Sequence, residues 1–501
     1  MEHIGKSEHL DACIIELEGQ VGSLLSKDTT RRIAKAVAEA KYEDVPTEHY
    51  EILKKSIVDV YGAMIAGCEA AAVPELLALA KKWDGAEEAG VAFYDFKCPA
   101  HNAAYINAVM ARALDYEDNE ENGSHPTGSI WPAIMAASQL VGGISGKEAL
   151  LAFDVGRDVE ARLNLANKRY DGFDPVTTAV LFGSTAAVGK IMRLSEDQMV
   201  DAFGIALNEA GGTWQSNADS ALTVRMNNGQ AARNAILSCE FAGMGLTGAH
   251  SVFEGVYGYF HLFAHDLVLP DILLDGLGTK YLGARINFKH WPSCGQTSAA
   301  TDLALQLVAD GLDYHNIESI HVRQSPSGYN LAGKDFEAGP NISVSTQFCA
   351  QYCIANSLVR KHPTLEQFNN REVALDPEVV AFCKKITTAP DPSFLEMDVE
   401  VDPNDPLAPV LKNRGKYLRV EFDITLKNGD NFTEALDYWK GYSQNPLSMN
   451  DIIEKYRDSV MFIPGAITTE DSEKLLESVL HLEDVDDFNT LFDCLKRKAS
   501  L

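Results

Sequence analysis

The first half of the chain is dominated by helical segments whose interiors are rich in small residues. One apolar stripe at helical spacing is formed by Leu53, Ile57, Val60, Tyr61, Met64 and Ile65. Further Ala-rich helices are predicted at 71–82, 101–113, 131–141, 147–166, 177–192, 196–211 and 228–246. Because small side chains allow helix axes to approach closely, and no repeat of fixed period is evident, this half is predicted to form an all-helical domain.

Near residue 280 the pattern changes to mixed helices and strands. Helices are predicted at 296–310 and 343–359, and short strands at 319–323 and 398–402. From Leu418 to Lys427 apolar and polar residues alternate, and Asn428-Gly429 then predicts a hairpin turn. The predicted fold is therefore mainly α with a smaller α+β domain, which the family resemblance described below implies is a lid. Its parts are an N-terminal extension (1–30), a helical domain (31–279), the α+β domain (280–440) and C-terminal helices (441–501) expected to pack back on the helical domain.

The charge of the chain restricts its partners. The 501 residues include 72 Asp and Glu but only 43 Lys and Arg, a formal net charge of −29. Nucleic acids and anionic membrane surfaces require basic patches, so we expect neither as a partner, and an anionic ligand would need a locally basic pocket. Nine scattered cysteines, no recognisable signal peptide and no long apolar run lead us to expect a cytoplasmic protein.

The loop between the predicted helices 101–113 and 131–141 has the richest chemistry. Residues 115–121 include five acidic side chains, and His125 follows in a His-Pro-Thr-Gly turn. A histidine beside carboxylates suits proton transfer near neutral pH. The alternative is an acidic loop whose histidine only caps a helix. Its extra acids Glu117, Glu120 and Glu121 are expected to face solvent.

Other candidates each have a structural alternative. No phosphate-binding loop, dinucleotide fingerprint or serine-nucleophile elbow is present. His261 and His265 could share a helix face, but a metal site would need a third ligand. Asp174 suits a helix N-cap, and Arg225 suits a salt bridge. The segment from Lys289 to Ser298 precedes a helix whose N–H groups could bind an anion or simply be capped.

Taken together and in order, these segments resemble the MmgE/PrpD family. The matching segments are Ala113–Gly128, Gly156–Leu163, Phe173–Pro175, Arg225–Arg233 and Trp291–Gly295. The resemblance implies a helical domain and a smaller lid domain with a pocket between them. It also implies a cofactor-independent homodimer that acts on di- or tricarboxylates by proton transfer next to a carboxylate, through dehydration, decarboxylation or epimerisation. It implies no metal.

Carried over position by position, the resemblance assigns roles and exposes departures. Catalytic roles fall on His125, Asp174 and Asp115, with Asp115 orienting His125. Substrate contacts fall on Asn119, Arg225, Lys289, Ser298 and Tyr329. Departures from the family pattern are Asn119 for Thr, Asp174 for His, Val224 for Lys and Ser298 for His. Losing these cationic groups predicts a less charged or differently shaped substrate than cis-aconitate or methylcitrate.

Three hypotheses follow from this sequence. The first is a lyase or isomerase in which His125 and Asp174 move protons while Arg225 and Lys289 hold a carboxylate. The second is a non-catalytic member of the family that binds or regulates. The third is a metalloenzyme built on His261 and His265.

Overall fold

The helical domain is built from closely packed α-helices. The computed structural model describes residues 25, 27–120, 123–168, 172–219, 221–401 and 408–496. Most of the predicted extension 1–30 therefore lies outside the described residues. The helices of this domain are α1 (Thr29–Glu39), α2 (Thr47–Gly67), α3 (Val73–Trp83), α4 (Ala100–Arg112), α5 (Thr127–Leu140), α6 (Gly146–Ala166), α7 (Ala179–Ile191), α8 (Glu196–Glu209), α9 (Gln215–Ala218), α10 (Thr223–Gly243), α11 (Tyr259–Ala264) and α12 (Pro270–Leu274).

Small residues set the helix spacing, as the sequence predicts. Helices α6 and α7 cross at Gly156 and Gly183. A Cβ at Gly156 would lie 2.8 Å from the Gly183 carbonyl oxygen, and a Cβ at Gly183 would lie 2.5 Å from the Gly156 carbonyl oxygen. Larger side chains at this crossing would force the two helices apart. A two-stranded ribbon, β1 (Ala89–Gly90) with β2 (Lys97–Cys98), precedes α4.

The lid domain combines a four-stranded sheet with short helices. Its helices are α13 (Gly295–Ala309), α14 (Pro326–Ala332), α15 (Ile342–Gln347), α16 (Ala350–Arg360), α17 (Leu365–Asn369), α18 (Arg371–Ala374), α19 (Pro377–Cys383) and α20 (Ala408–Arg414). The strand order is β4 (Ile386–Pro390), β3 (Ile317–Gln324), β5 (Val420–Leu426), β6 (Asn431–Leu436). β3 is parallel to β4 and antiparallel to β5. The Asn428-Gly429 turn joins β5 to β6, with Gly429 in the left-handed region at φ +94°.

Two large hydrophobic cores divide the described residues, and a small third cluster brings Leu114 and Tyr116 together with Leu365. One large core runs from the N-terminal helices to Phe288 and includes Leu411 and residues after 446, and the other lies between 299 and 442. The last helices, α21 (Met449–Phe462) and α22 (Thr469–Leu480), belong to the first core and contact α2. The helical domain is thus completed by the end of the chain. The lid domain is an insertion between its parts.

Two local predictions are wrong. The segment 343–359 is not one helix, because α15 ends at Gln347 and α16 begins at Ala350. The structure contains no strand at 398–401, and residue 402 lies outside the described residues. The parallel edge strand is instead β4, whose alternation over Ile386–Pro390 is too short to stand out in the sequence. None of the described helices combines the length and apolar character needed to cross a membrane. No disulfide joins the described cysteines.

Candidate active site

A cavity of about 620 Å³ lies between the two domains. The helical domain supplies one side of it, the polar wall: Arg112, Asp115, Asn119, Glu120, His125 and Asp174. The lid domain supplies an apolar group, the aromatic wall: Phe348, Leu395, Tyr417, Leu418, Trp439 and Tyr442. It also supplies the polar side chains of Gln296, Ser327, Asn330 and Arg414. A cleft between domains with a few convergent polar groups is the usual setting of a small-molecule site. The predicted residues His125, Asp115, Asp174 and Asn119 all line this cavity.

Asp115 is fixed by two buried cations. Helix α4 ends at Arg112, and the turn that follows places Asp115 in the left-handed region at φ +52°. The Arg112 guanidinium donates to Asp115 Oδ1, and Lys289 Nζ lies 2.7 Å from the same oxygen. Burial alone raises the pKa of a carboxyl group, but Arg112 and Lys289 hold the pKa of Asp115 well below its usual value. Asp115 is therefore ionised throughout the neutral range.

His125 is held as a neutral imidazole. Its Nδ1 lies 3.1 Å from the Asp118 carbonyl oxygen, which can only accept a hydrogen bond. Nδ1 therefore bears the proton, and Nε2 is left with a lone pair. Burial lowers the pKa of His125 well below its usual value, and Arg112 and Lys289 lower it further. The sequence predicts Asp115 as the residue that orients this ring, but the structure places the Asp118 carbonyl in that position.

Glu117 is a buried partner of His125. Its Oε1 lies 3.4 Å from His125 Nδ1 and 3.4 Å from Arg112 Nε. Burial raises the pKa of Glu117 to about 7, against the lowering effect of Arg112 and Lys289. Neither carboxyl oxygen has a hydrogen-bond partner among the described residues. The prediction that Glu117 faces solvent is wrong, because the side chain is fully buried.

Glu120 is also buried, and the expectation that it faces solvent is wrong too. Asn164 Nδ2 donates to its Oε2 at 3.0 Å, and Arg157 lies 3.5 Å from its Oε1. Burial and the nearby Glu160 raise the pKa of Glu120 well above its usual value. Helix α6 carries charged residues within an otherwise apolar sequence. Because buried charges require buried partners, this pattern indicates a buried network like the one around Glu120. Glu121 lies outside the described residues.

Asp174 lines the cavity and caps a helical turn at the same time. Its Oδ1 accepts from the Val176 N–H at 2.9 Å, and its Oδ2 accepts from Asn227 Nδ2 at 2.7 Å. Burial raises the pKa of Asp174, although these two hydrogen bonds oppose the shift. Asp174 is therefore an N-cap, as the structural alternative predicts, and its side chain also belongs to the lining of the cavity.

Four predicted substrate contacts do not line the cavity. Arg225 is buried with its guanidinium 3.1 Å from the Ala71 carbonyl oxygen and 3.3 Å from Ser343 Oγ. The ammonium of Lys289 is fully buried on Asp115. Ser298 is fully buried one turn inside α13, and Tyr329 lies beside Ser327 and Asn330, which do line the cavity. Periodicity cannot reveal these side-chain directions, because the partners are far away in sequence.

The lid supplies further lining residues. Cys294, Gly295 and Gln296, from the predicted segment between Lys289 and Ser298, bring the first turn of α13 to the cavity. Arg414, which the sequence did not single out, lies over the Tyr417 ring, 5.7 Å from its centroid. Phe348 lies at the break between α15 and α16. A Cβ at Gly295 would lie 2.6 Å from Asn119 Nδ2 and 3.8 Å from the Trp439 ring, so this glycine joins the two walls.

One side-chain group near the cavity has the composition of a metal site. Asp115, Glu117 and His125 place one ligand atom each within 4.8 Å of one another. Arg112 and Lys289 already neutralise Asp115, and they would repel a divalent cation, so we assign no metal to this group. His261 Nδ1 lies 3.0 Å from Asp266 Oδ2, and across the part of the chain that the structure describes the His261–His265 pair joins no group of three ligands.

Comparison with known proteins covers nearly the whole chain. Residues 31–268 match the MmgE/PrpD N-terminal domain, and residues 291–484 match the MmgE/PrpD C-terminal domain. The chain is 26% identical to "Cis-aconitate decarboxylase" of Homo sapiens over 498 residues, 94% of this chain and 95% of that protein. It is 25% identical to "Cis-aconitate decarboxylase" of Aspergillus terreus over 479 residues, 90% of this chain and 93% of that protein. The two-domain architecture and the two matched domains agree, and the chain belongs to the MmgE/PrpD family.

Proposed function

We propose that the chain is a lyase that acts on a small carboxylate by moving a proton at the carbon next to the carboxylate group. The observation that carries the proposal is the place of His125 in the cavity wall, with Nδ1 fixed by the Asp118 carbonyl oxygen, so that Nε2 is the proposed proton acceptor. The relatives named cis-aconitate decarboxylase support this class of reaction. A base that is neutral at physiological pH is ready to accept a proton.

Removing such a proton leaves an electron pair that the carboxylate must delocalise. The developing charge needs donors or cations that are in place beforehand. Helix α13 begins at Gly295, and Cys294 and Gly295 bring its first turn to the cavity. The Thr297 N–H is bonded to the Cys294 carbonyl oxygen at 2.9 Å, so the Gly295 N–H at the start of the helix is the proposed donor to the carboxylate. Arg414 is the cation that the lid presents. These groups replace Arg225 and Lys289 as our proposed carboxylate contacts.

Asp174 is the proposed second acid–base group. Its raised pKa increases the protonated fraction that can donate to a leaving hydroxyl or to a carbanion. In dehydration the β-hydroxyl leaves as water after the α-proton is removed. In decarboxylation carbon dioxide leaves and a proton is delivered to carbon. Because His125 and Asp174 both line the cavity, epimerisation by proton removal and return on opposite faces is the second candidate.

Proton NMR in heavy water tests this proposal. The purified chain is incubated with cis-aconitate, citrate, malate and a series of hydroxy acids that carry larger apolar groups. We expect deuterium to enter the α position of at least one compound, or a product to form, and His125→Asn to abolish it. No exchange and no product with any compound would overturn the proposal and favour a binding or regulatory role.

A further inference from the structure

The two walls of the cavity differ in chemistry, and the cavity as a whole is larger than a small polycarboxylate needs. The cavity volume of about 620 Å³ equals roughly twenty water-sized volumes and falls within the range of drug-sized ligand sites. Phe348, Tyr417 and Trp439 present aromatic rings to it, and Leu395 and Leu418 present aliphatic side chains. A ligand made only of carboxylates and a short carbon chain would leave these apolar surfaces in contact with water.

The charge balance of the cavity also disfavours a polyanion. Arg112 lines the cavity but is bound to Asp115 and lies 3.4 Å from Glu117. Lys289 is withdrawn behind the wall on the same Asp115. The acidic side chains Asp115, Glu120 and Asp174 line the same wall. Arg112 and Lys289 are therefore already paired with Asp115, and Arg414 is the further cation among the described lining residues, so the repulsion of several substrate carboxylates would be compensated only in part.

We infer that the substrate bears a sizeable aromatic or branched aliphatic group, which the aromatic wall binds while its carboxylate meets the first turn of α13 and Arg414 and its α-carbon faces His125. This inference rests on the proposed function and names the substrate class for the same site. Part of this wall is rigid, because the Trp439 and Tyr442 rings pack at 5.0 Å and the Tyr417 and Tyr442 hydroxyls lie 3.5 Å apart. A rigid apolar surface selects an apolar group with little loss of conformational entropy.

Calorimetric binding to the full chain tests the inference with three probes. Succinate and 2-phenylsuccinate have the same two carboxylates and differ by one phenyl ring, and propane-1,2,3-tricarboxylate adds charge instead. Burying the ring is expected to tighten binding about 10- to 100-fold over succinate. The tricarboxylate is expected to bind no tighter than succinate. Equal or weaker binding of 2-phenylsuccinate, or no binding of any probe, would overturn the inference.

Substitutions at two leucines of similar exposure, one in the cavity and one outside it, test where the phenyl ring of 2-phenylsuccinate binds. Leu395 on the aromatic wall is 42% exposed, and Leu79 on α3, outside the cavity, is 39% exposed. Leu395→Glu should remove most of the preference for 2-phenylsuccinate, and Leu79→Glu should leave it unchanged. Leu395→Ala, which adds no charge, should give a smaller loss in the same direction. A preference that survives both Leu395 variants would place the ring elsewhere and overturn the assignment.

The outcomes separate this inference from the proposed function. Preferential binding that depends on Leu395, without proton exchange in any carboxylate, would refute the lyase and keep the aromatic subsite. Exchange of a small tricarboxylate that binds tighter than 2-phenylsuccinate would keep the lyase and refute the subsite.

Discussion

The two walls of the cavity are built by opposite physical means. The polar wall consists of ionisable groups that are buried and fixed by one another, with Asp115 between Arg112 and Lys289 and with His125 beside Glu117. The aromatic wall consists of rings and aliphatic side chains with Arg414 at its edge. A buried ionic network costs desolvation energy and is kept where it holds groups in one geometry. This difference is the basis on which we propose proton transfer at the polar wall and recognition of the substrate's apolar group at the aromatic wall.

The largest expected effect comes from removing the base of the polar wall. His125→Asn keeps a hydrogen-bonding side chain but loses the titrating nitrogen, so the rate should fall about 10²- to 10⁴-fold. Binding of 2-phenylsuccinate should stay within a factor of about two, because the ring contacts the other wall. Proton NMR and calorimetry measure the two quantities. His49→Asn is the control, since His49 pairs with Asp154 in the same domain but outside the cavity.

Breaking the ion pair behind the polar wall should destabilise the fold. Lys289→Met leaves the buried Asp115 with Arg112 alone, and losing one partner of a buried pair costs about 3–5 kcal/mol. Urea unfolding measures the free energy. Lys280→Met is the matched control, because its pair with Asp275 is 60% and 67% exposed, and the loss of such a screened surface pair should hardly change the free energy of unfolding. Equal losses in both variants would contradict the structural role of Lys289.

Glu117→Gln should change the pH dependence of the rate. Above its pKa of about 7, Glu117 is ionised and its charge near Nδ1 raises the basicity of His125. The variant should be slower than the natural chain at pH 8, and the two rates should converge below pH 6, where Glu117 is already protonated. Asp154→Asn, at the comparable His49 pair, should leave the profile unchanged. A constant ratio of rates across pH would show that Glu117 has only a packing role.

The smallest effect is expected at the junction of the walls. Gly295→Ala would place a Cβ 2.6 Å from Asn119 Nδ2, so the Asn119 side chain must shift. We expect a loss of a few-fold in 2-phenylsuccinate affinity with little change in stability. Gly243→Ala, whose Cβ would have no neighbour closer than 3.7 Å, is the control. If Gly295→Ala left the affinity for 2-phenylsuccinate unchanged, the close approach of Gly295 to Asn119 would have no role in ligand binding.

The sequence predicts the helical domain well, because small residues and apolar stripes repeat over long segments. It also places His125, Asp115, Asn119 and Asp174 together in one predicted site, and in the structure all four line the same cavity. It does not predict that Glu117 and Glu120 are buried, because an acidic run resembles a solvated loop until its partners Arg112 and Arg157 are placed beside it. The sequence does not predict the aromatic wall, because Phe348 and Trp439 lie in separate connecting segments and Leu395 lies in a short 3₁₀ helix far from both in sequence.

One comparison tests the division between the walls most directly. The rate of deuterium uptake is measured against concentration for the carboxylate that exchanges fastest, in the natural chain, His125→Asn and Leu395→Glu. His125→Asn should lower the saturating rate at least about 100-fold, because the variant lacks the proposed base. Leu395→Glu should raise the half-saturating concentration and leave the saturating rate nearly unchanged. If the His125→Asn chain exchanged at the same saturating rate as the natural chain, the assignment of His125 as the base would be contradicted.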